Sequence, residues 1–210
     1  MAWLWLLYLI IIIVVCTASS CTGSSTPVFP QHKYFLRESY RVKGDDQLAF
    51  RVRQVPGDGG CLFHALSACV SYSQTNAHVE FDWRLRNLSH KLRHLAVSIL
   101  KGNQTLVVES GESVDSCGLL EMVADHYNMT ADQYCEQMAH PRTWGGGPEI
   151  VALSNHFRCP IHVYQLGVSS GLFQKTAFCF ELCAKFGRYV KHAGLAADDD
   201  TTHPPDALQS

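Results

Sequence analysis

Residues Pro56-Gly57-Asp58-Gly59-Gly60-Cys61-Leu62-Phe63-His64-Ala65-Leu66 set one cysteine behind three glycines and an aspartate, with an apolar stretch of helical character directly after it. Thiolate is the nucleophilic form of cysteine, and its surroundings decide how readily it forms. Glycines let backbone N–H groups converge on a small volume, because no Cβ blocks the approach. Cys61 is predicted at the first turn of a helix, where unpaired N–H groups and the macrodipole favour an anion. That placement predicts a Cys61 pKa below the free value of about 8.5. The same amides would face the oxyanion formed when sulfur attacks a carbonyl. The segment reads as a nucleophilic cysteine in a cradle of main-chain donors. The competing reading is a small buried hydrophobe.

A second segment, Thr143-Trp144-Gly145-Gly146-Gly147-Pro148-Glu149-Ile150-Val151-Ala152-Leu153-Ser154, is followed by Cys159-Pro160-Ile161-His162-Val163-Tyr164. Its glycines supply a turn, Pro148 suits the first helical position, and Glu149 complements the dipole in the first turn. Ile150, Leu153 and Phe157 fall at helical spacing and predict one buried face. Pro160 stops that helix, and Ile161 to Tyr164 has strand composition. Further upstream, Leu85 to Leu100 reads as an amphipathic helix with Leu85, Leu88, Leu92, Leu95, Ala96 and Ile99 on one stripe. Cys117 to Tyr127 reads as another helix. Thr130 with Gln133 makes a capping-box pattern that starts a helix through Met138. Strand-like and helix-like segments alternate, which predicts an α/β (α+β) fold with a central sheet and helices around it.

The Asp-Gly-Gly-Cys-Leu-Phe-x-Ala segment, Asp58 to Ala65, resembles the active-site motif of the ovarian tumour (OTU) family of cysteine proteases. The Trp-Gly-Gly turn, its Glu-bearing helix and the Val163-Tyr164 strand end are similar to a second stretch of that family. The resemblance covers about residues 45 to 186, and near Cys183-Ala184-Lys185-Phe186-Gly187 it is to the plant and algal type. It implies a papain-like fold with the nucleophile at a helix N-terminus. It also implies a deubiquitinase that hydrolyses isopeptide bonds at the C-terminus of ubiquitin in conjugates, without a cofactor. Cys61 would be the nucleophile and Asp58 would shape the oxyanion loop.

The family also supplies a late His, followed by Tyr or Phe, as general base. His126-Tyr127 and His156-Phe157 match the dipeptide but precede the strand that should come before it. His192 and His203 are late enough, His192 at a possible strand edge and His203 in a polar tail. After Gly187 the resemblance stops, as in a chain that ends early or diverges. Two alternatives stay open: a ubiquitin-binding relative without its base, and a secreted cysteine domain. The run from Gln74 to Arg86 is a candidate contributor to ubiquitin docking, or a solvated loop.

The 210 residues carry 17 basic and 19 acidic side chains, so no charge excess points to nucleic acid. Residues 1–20 read as a signal peptide or signal anchor, 21–44 as a linker, 45–187 as the protease domain and 188–210 as a disordered tail. Ala2 to Cys16 is wholly apolar. Fifteen helical residues span about 22 Å, short of a hydrocarbon core of about 30 Å, which fits a signal-peptide core. No basic residue precedes Lys33, and those that follow the segment favour a cytosolic side under the positive-inside rule. The favoured expectation is a membrane-associated protein, held through residues 2–18, with a cytosolic domain.

Nine cysteines form no small-scaffold disulfide framework. Cys69, Cys117, Cys135 and Cys159 are expected as core thiols. Cys179 and Cys183, which with His192 and His203 could be imagined as a zinc set, are likewise expected to pack. Asn87, Asn103 and Asn128 open N-x-[ST] triplets, expected to be unused.

Overall fold

A computed structural model describes residues 35–42, 45–108, 112–169 and 177–187. The apolar leader, the tail with His192 and His203, and both ends of the expected domain organisation lie outside the described residues. The elements run β1 (Phe35–Val42), β2 (Asp45–Arg53), α1 (Cys61–Thr75), α2 (Trp83–Leu100), β3 (Thr105–Val107), β4 (Ser113–Asp115), α3 (Ser116–His126), α4 (Ala131–Ala139), α5 (Gly147–Phe157), β5 (Ile161–Ser169) and β6 (Ala177–Phe186). This is the mixed α/β composition that the alternating patterns predict. The strands form a four-stranded sheet in the order β2-β1-β6-β5 and a two-stranded sheet of β3 and β4. β1 runs antiparallel to β2 and parallel to β6, with Arg41 beside Cys179 and Val42 beside Phe180. β1 falls in the stretch read as a linker. No helix among the described residues is long and apolar enough to cross a membrane.

The chain divides into two compact units, with one boundary inside α2 after Arg93. The first holds the sheet strands β1 and β2, helix α1 and the first half of α2. Leu62, Phe63, Leu66, Leu85 and Leu92 are buried there, Phe63 and Leu92 completely. The second unit holds the end of α2, the β3–β4 hairpin, α3, α4 and all of α5. Leu106, Leu120, Met138, Ile150 and Leu153 are buried in it. Completely buried leucines of this kind are worth roughly 2–5 kcal/mol each against truncation to alanine.

Helix ends follow local chemistry. Asp115 caps α3, its carboxylate accepting the Gly118 N–H at 2.9 Å. Thr130 and Gln133 form the reciprocal box expected of them: the Thr130 N–H donates to Gln133 Oε1 at 2.9 Å, and the Gln133 N–H to Thr130 Oγ1 at 3.2 Å. α5 begins one residue before Pro148, so the proline takes the second helical position rather than the first. On α2 the predicted stripe faces inward, with Leu85, Leu92 and Ala96 buried and Leu88, Leu95 and Ile99 half-buried.

The cysteine expectations need correction. Cys135 is buried, but Cys69 and Cys117 are half-exposed, and Cys159 and Cys183 are exposed. Apolar neighbours in sequence do not bury a side chain on the outward face of its element: Cys159 follows the left-handed residue Arg158 that ends α5. Cys183 is an exposed residue of β6 flanked by half-buried Leu182 and Ala184, as strand alternation allows.

Candidate active site

The loop before α1 is held by one carboxylate. Asp58 Oδ1 accepts the Gly60 N–H at 3.1 Å and lies 2.7 Å from His64 Nε2, while Arg86 Nη1 donates to Oδ2 at 2.9 Å. The loop, the first turn of α1 and the first turn of α2 are thus tied to a single side chain. Partial burial works against ionisation of Asp58, but the hydrogen bonds from Arg86, His64 and Gly60 outweigh it and hold the carboxyl down at about 2. Gly59 sits at φ +88°, and a Cβ there would collide with the Arg142 carbonyl. Only glycine supplies both that conformation and that clearance.

Cys61 is the first residue of α1 and is half-buried. The main-chain N–H groups of Leu62 and of Cys61 itself favour the thiolate. The expected downward shift is reversed, however: burial pushes the thiol up, and the two amides only partly offset it. A local argument from the helix N-terminus captures the amides and misses the desolvation. Ionising this sulfur therefore requires a proton acceptor.

His64, three residues on, is not a free base. It is buried, with Nδ1 2.7 Å from Ser89 Oγ and Nε2 against Asp58. Its ring meets Phe81 edge-on at 4.7 Å between centroids. Burial lowers its pKa despite the Asp58 carboxylate, so the ring is neutral at neutral pH. A carboxylate only accepts, so Nε2 carries the proton and Nδ1 accepts from the Ser89 hydroxyl.

Gly145, in the turn that opens the second motif, packs directly on α1. A Cβ on Gly145 would come within 2.6 Å of Leu62 Cδ2 and 2.8 Å of Phe63 Cε2, so the turn approaches α1 as closely as backbone allows. Arg93 is buried, donating from Nη2 to the Pro141 carbonyl at 3.0 Å and lying 4.2 Å from the Phe63 ring centroid. Trp144 is exposed.

The profile of the OTU-like cysteine proteases matches residues 56–185, from the glycine loop to the end of β6. The chain belongs to the OTU-like cysteine protease family. One curated relative is the ubiquitin thioesterase otu2 of Schizosaccharomyces pombe, 26% identical over 143 residues, which is 68% of this chain. The match spans 42% of that protein's length. No solved structure matches.

In this OTU-like chain the predicted pair, Asp58 and Cys61, comes together at the mouth of α1. His126 closes α3 and His156 lies on α5, in the unit that does not hold Cys61. Three side chains that hold this loop escaped the sequence reading: His64 on α1, and Ser89 and Arg86 on α2. Arg86, Ser89 and Arg93 are spaced by three and four residues and so share one face of α2, which is the signal that could have found them. The run after α1 and the start of α2 hold Val79, partly exposed, and Trp83, largely open to solvent. Among the triplet asparagines, Asn87 is exposed on α2, and Asn103 and Asn128 take left-handed turns. Among the described residues, no group of His, Cys, Asp or Glu is arranged to hold a metal ion.

Proposed function

We propose that this chain is a thiol-dependent deubiquitinase, with residues 45–187 as its protease domain and Cys61 as nucleophile. The observation that carries the reading is the sulfur at the start of α1, directly behind a loop that Asp58 fixes by accepting the Gly60 N–H. Family membership and the ubiquitin thioesterase relative point the same way. The substrate is an isopeptide bond between the ubiquitin C-terminus and a lysine. Cys61 loses its proton to an imidazole, and the sulfur adds to the glycine carbonyl. Main-chain N–H groups of the Asp58 to Cys61 loop stabilise the oxyanion. As the C–N bond breaks, the imidazolium returns its proton to the lysine amine. Water then cleaves the thioester and restores the thiol. The base is a late histidine, His192 first and His203 second. Both lie outside the described residues.

The plant and algal type, with a C-terminus that departs from the family after Gly187, belongs to the same proposal; the family match ends at residue 185. So does membrane association through residues 2–18 with the protease domain in the cytosol, where ubiquitin conjugates are found. A second reading, an inert ubiquitin-binding relative, is favoured by the upward push on the Cys61 thiol. Turnover of di-ubiquitin by the full chain separates the two. Cleavage that vanishes in Cys61→Ala supports the protease, and binding without cleavage supports the inert relative.

A further inference from the structure

We infer that His64 is a positioning residue for acyl transfer: its ring fixes Asp58, and through Asp58 the Gly60 amide, in the loop that leads into Cys61. The inference rests on the deubiquitinase reading and deepens it. Asp58 Oδ1 is shared by the His64 ring at 2.7 Å and the Gly60 N–H at 3.1 Å. With Gly60's amide turned onto the carboxylate, the Gly59–Gly60 peptide plane, one residue ahead of Cys61, is set. The amides that follow, those of Cys61 and Leu62, open α1 at the nucleophile. In this arrangement Asp58 acts through the backbone that it holds.

What orients Asp58 is the imidazole. Ser89 Oγ, 2.7 Å from Nδ1, donates to the ring and anchors it with Nε2–H directed at the carboxylate, which as an acceptor only sets that tautomer. Phe81 closes one edge of the ring, and Arg86 lies 5.6 Å from the Phe81 centroid while holding the other Asp58 oxygen. The charged and titratable groups around His64 are Asp58 on the loop and Arg86 and His90 on α2. Arg86 is half-exposed and His64 is 3% exposed, so the imidazole is the rigid half of the clamp and the guanidinium the yielding half. A long exposed side chain gives a weak, screened hold.

The two reactions of a cysteine separate this role from simple packing. Acyl attack builds an oxyanion and needs the amides aimed. Displacement of chloride from chloroacetamide forms an S–C bond at a saturated carbon and builds no oxyanion. The test compares the full wild-type chain with His64→Leu and His64→Gln. Each is assayed for hydrolysis of ubiquitin 7-amido-4-methylcoumarin and for Cys61 alkylation by chloroacetamide at one pH.

In His64→Leu, kcat is expected to fall about 10- to 100-fold. KM stays within about twofold, and the alkylation rate stays at the wild-type value. His64→Gln, which keeps an N–H donor near the position of Nε2, restores most of kcat. Equal kcat in wild type and His64→Leu overturns the inference, as does an equal fall in hydrolysis and alkylation. Should the leucine variant lose its cooperative melt, Ser89→Ala decides. A several-fold loss of kcat with unchanged alkylation supports the role, and an unchanged kcat overturns it. A wild-type chain inert toward the ubiquitin substrate sinks the deubiquitinase reading, and this inference falls with it. An active wild type with an indifferent His64 sinks this inference alone.

Discussion

Tyr134 donates its hydroxyl to Glu149 Oε1 at 2.8 Å, from the middle of α4 to the first turn of α5. Glu149 is completely buried, and its other oxygen takes the Gly146 N–H at 2.7 Å. The carboxylate links the helix ahead of the Trp-Gly-Gly turn to the end of that turn. Burial and the Glu149 charge push the Tyr134 phenol far up, so it stays a donor throughout the working pH range. Tyr134→Phe removes one hydrogen bond to a buried charge and is expected to cost about 1.5–3 kcal/mol. Urea unfolding measures it, and an unshifted midpoint refutes it.

Gly145→Ala is expected to destabilise the protein by about 1–3 kcal/mol, because the new methyl meets Leu62 and Phe63 side chains that are themselves buried. Gly59→Ala is expected to do worse, since its contact is the rigid Arg142 backbone and its φ of +88° disfavours any Cβ. Thermal melts of the two variants should rank Gly59→Ala below Gly145→Ala. The opposite order contradicts the loop geometry.

Acid should weaken the folded state in two stages. His64 has a folded pKa below its ordinary 6.5, so an unfolded chain binds a proton first. The stability that the neutral ring contributes is complete above pH 6.5 and is lost as pH falls below it. Asp58, lowered from 3.8 to about 2, contributes stability that is full above 3.8 and lost as pH falls toward 2. Urea midpoints measured against pH should therefore fall below pH 6.5 in wild type. The His64→Gln variant should show a flatter fall between pH 6.5 and 5. Identical profiles for the two proteins contradict the neutral, buried ring.

Cys61 gives a pH prediction of its own. With the thiol pushed above its ordinary 9.0 by burial, the sulfur alone ionises only in alkaline solution. In a chain carrying His192→Ala and His203→Ala, Cys61 alkylation by chloroacetamide should rise only above pH 9. In wild type, an imidazole partner should move that rise toward neutral pH. Superimposable curves exclude both histidines as the base.

Much of the scaffold was legible because it is local. The Thr130–Gln133 box, the α2 stripe and the glycine loop into Cys61 each depend on residues a few positions apart, and each forms as read. What escaped is tertiary. Ser89 and Arg86 reach the loop from 25 and 28 residues beyond their partners, His64 and Asp58. Neither partner advertises the other in sequence. Arg93 is buried because Pro141 and Phe63, both distant in sequence, supply an acceptor and a ring face. The Cys61 shift was misjudged for the same reason, since desolvation comes from packing and only the amides come from the motif. Strand β1 was hidden by its place between an apolar leader and the motif, and its pairing with β2 and β6 reveals it.

The most direct measurement is the mass of the full chain after reaction with ubiquitin bearing a C-terminal vinyl methyl ester, followed by peptide mapping of the adduct. One ubiquitin per chain, joined to the Cys61 sulfur and absent from Cys61→Ala, is the expected result. An unreacted chain, or an adduct mapped to any of the other cysteines, contradicts the assignment of Cys61 as the nucleophile.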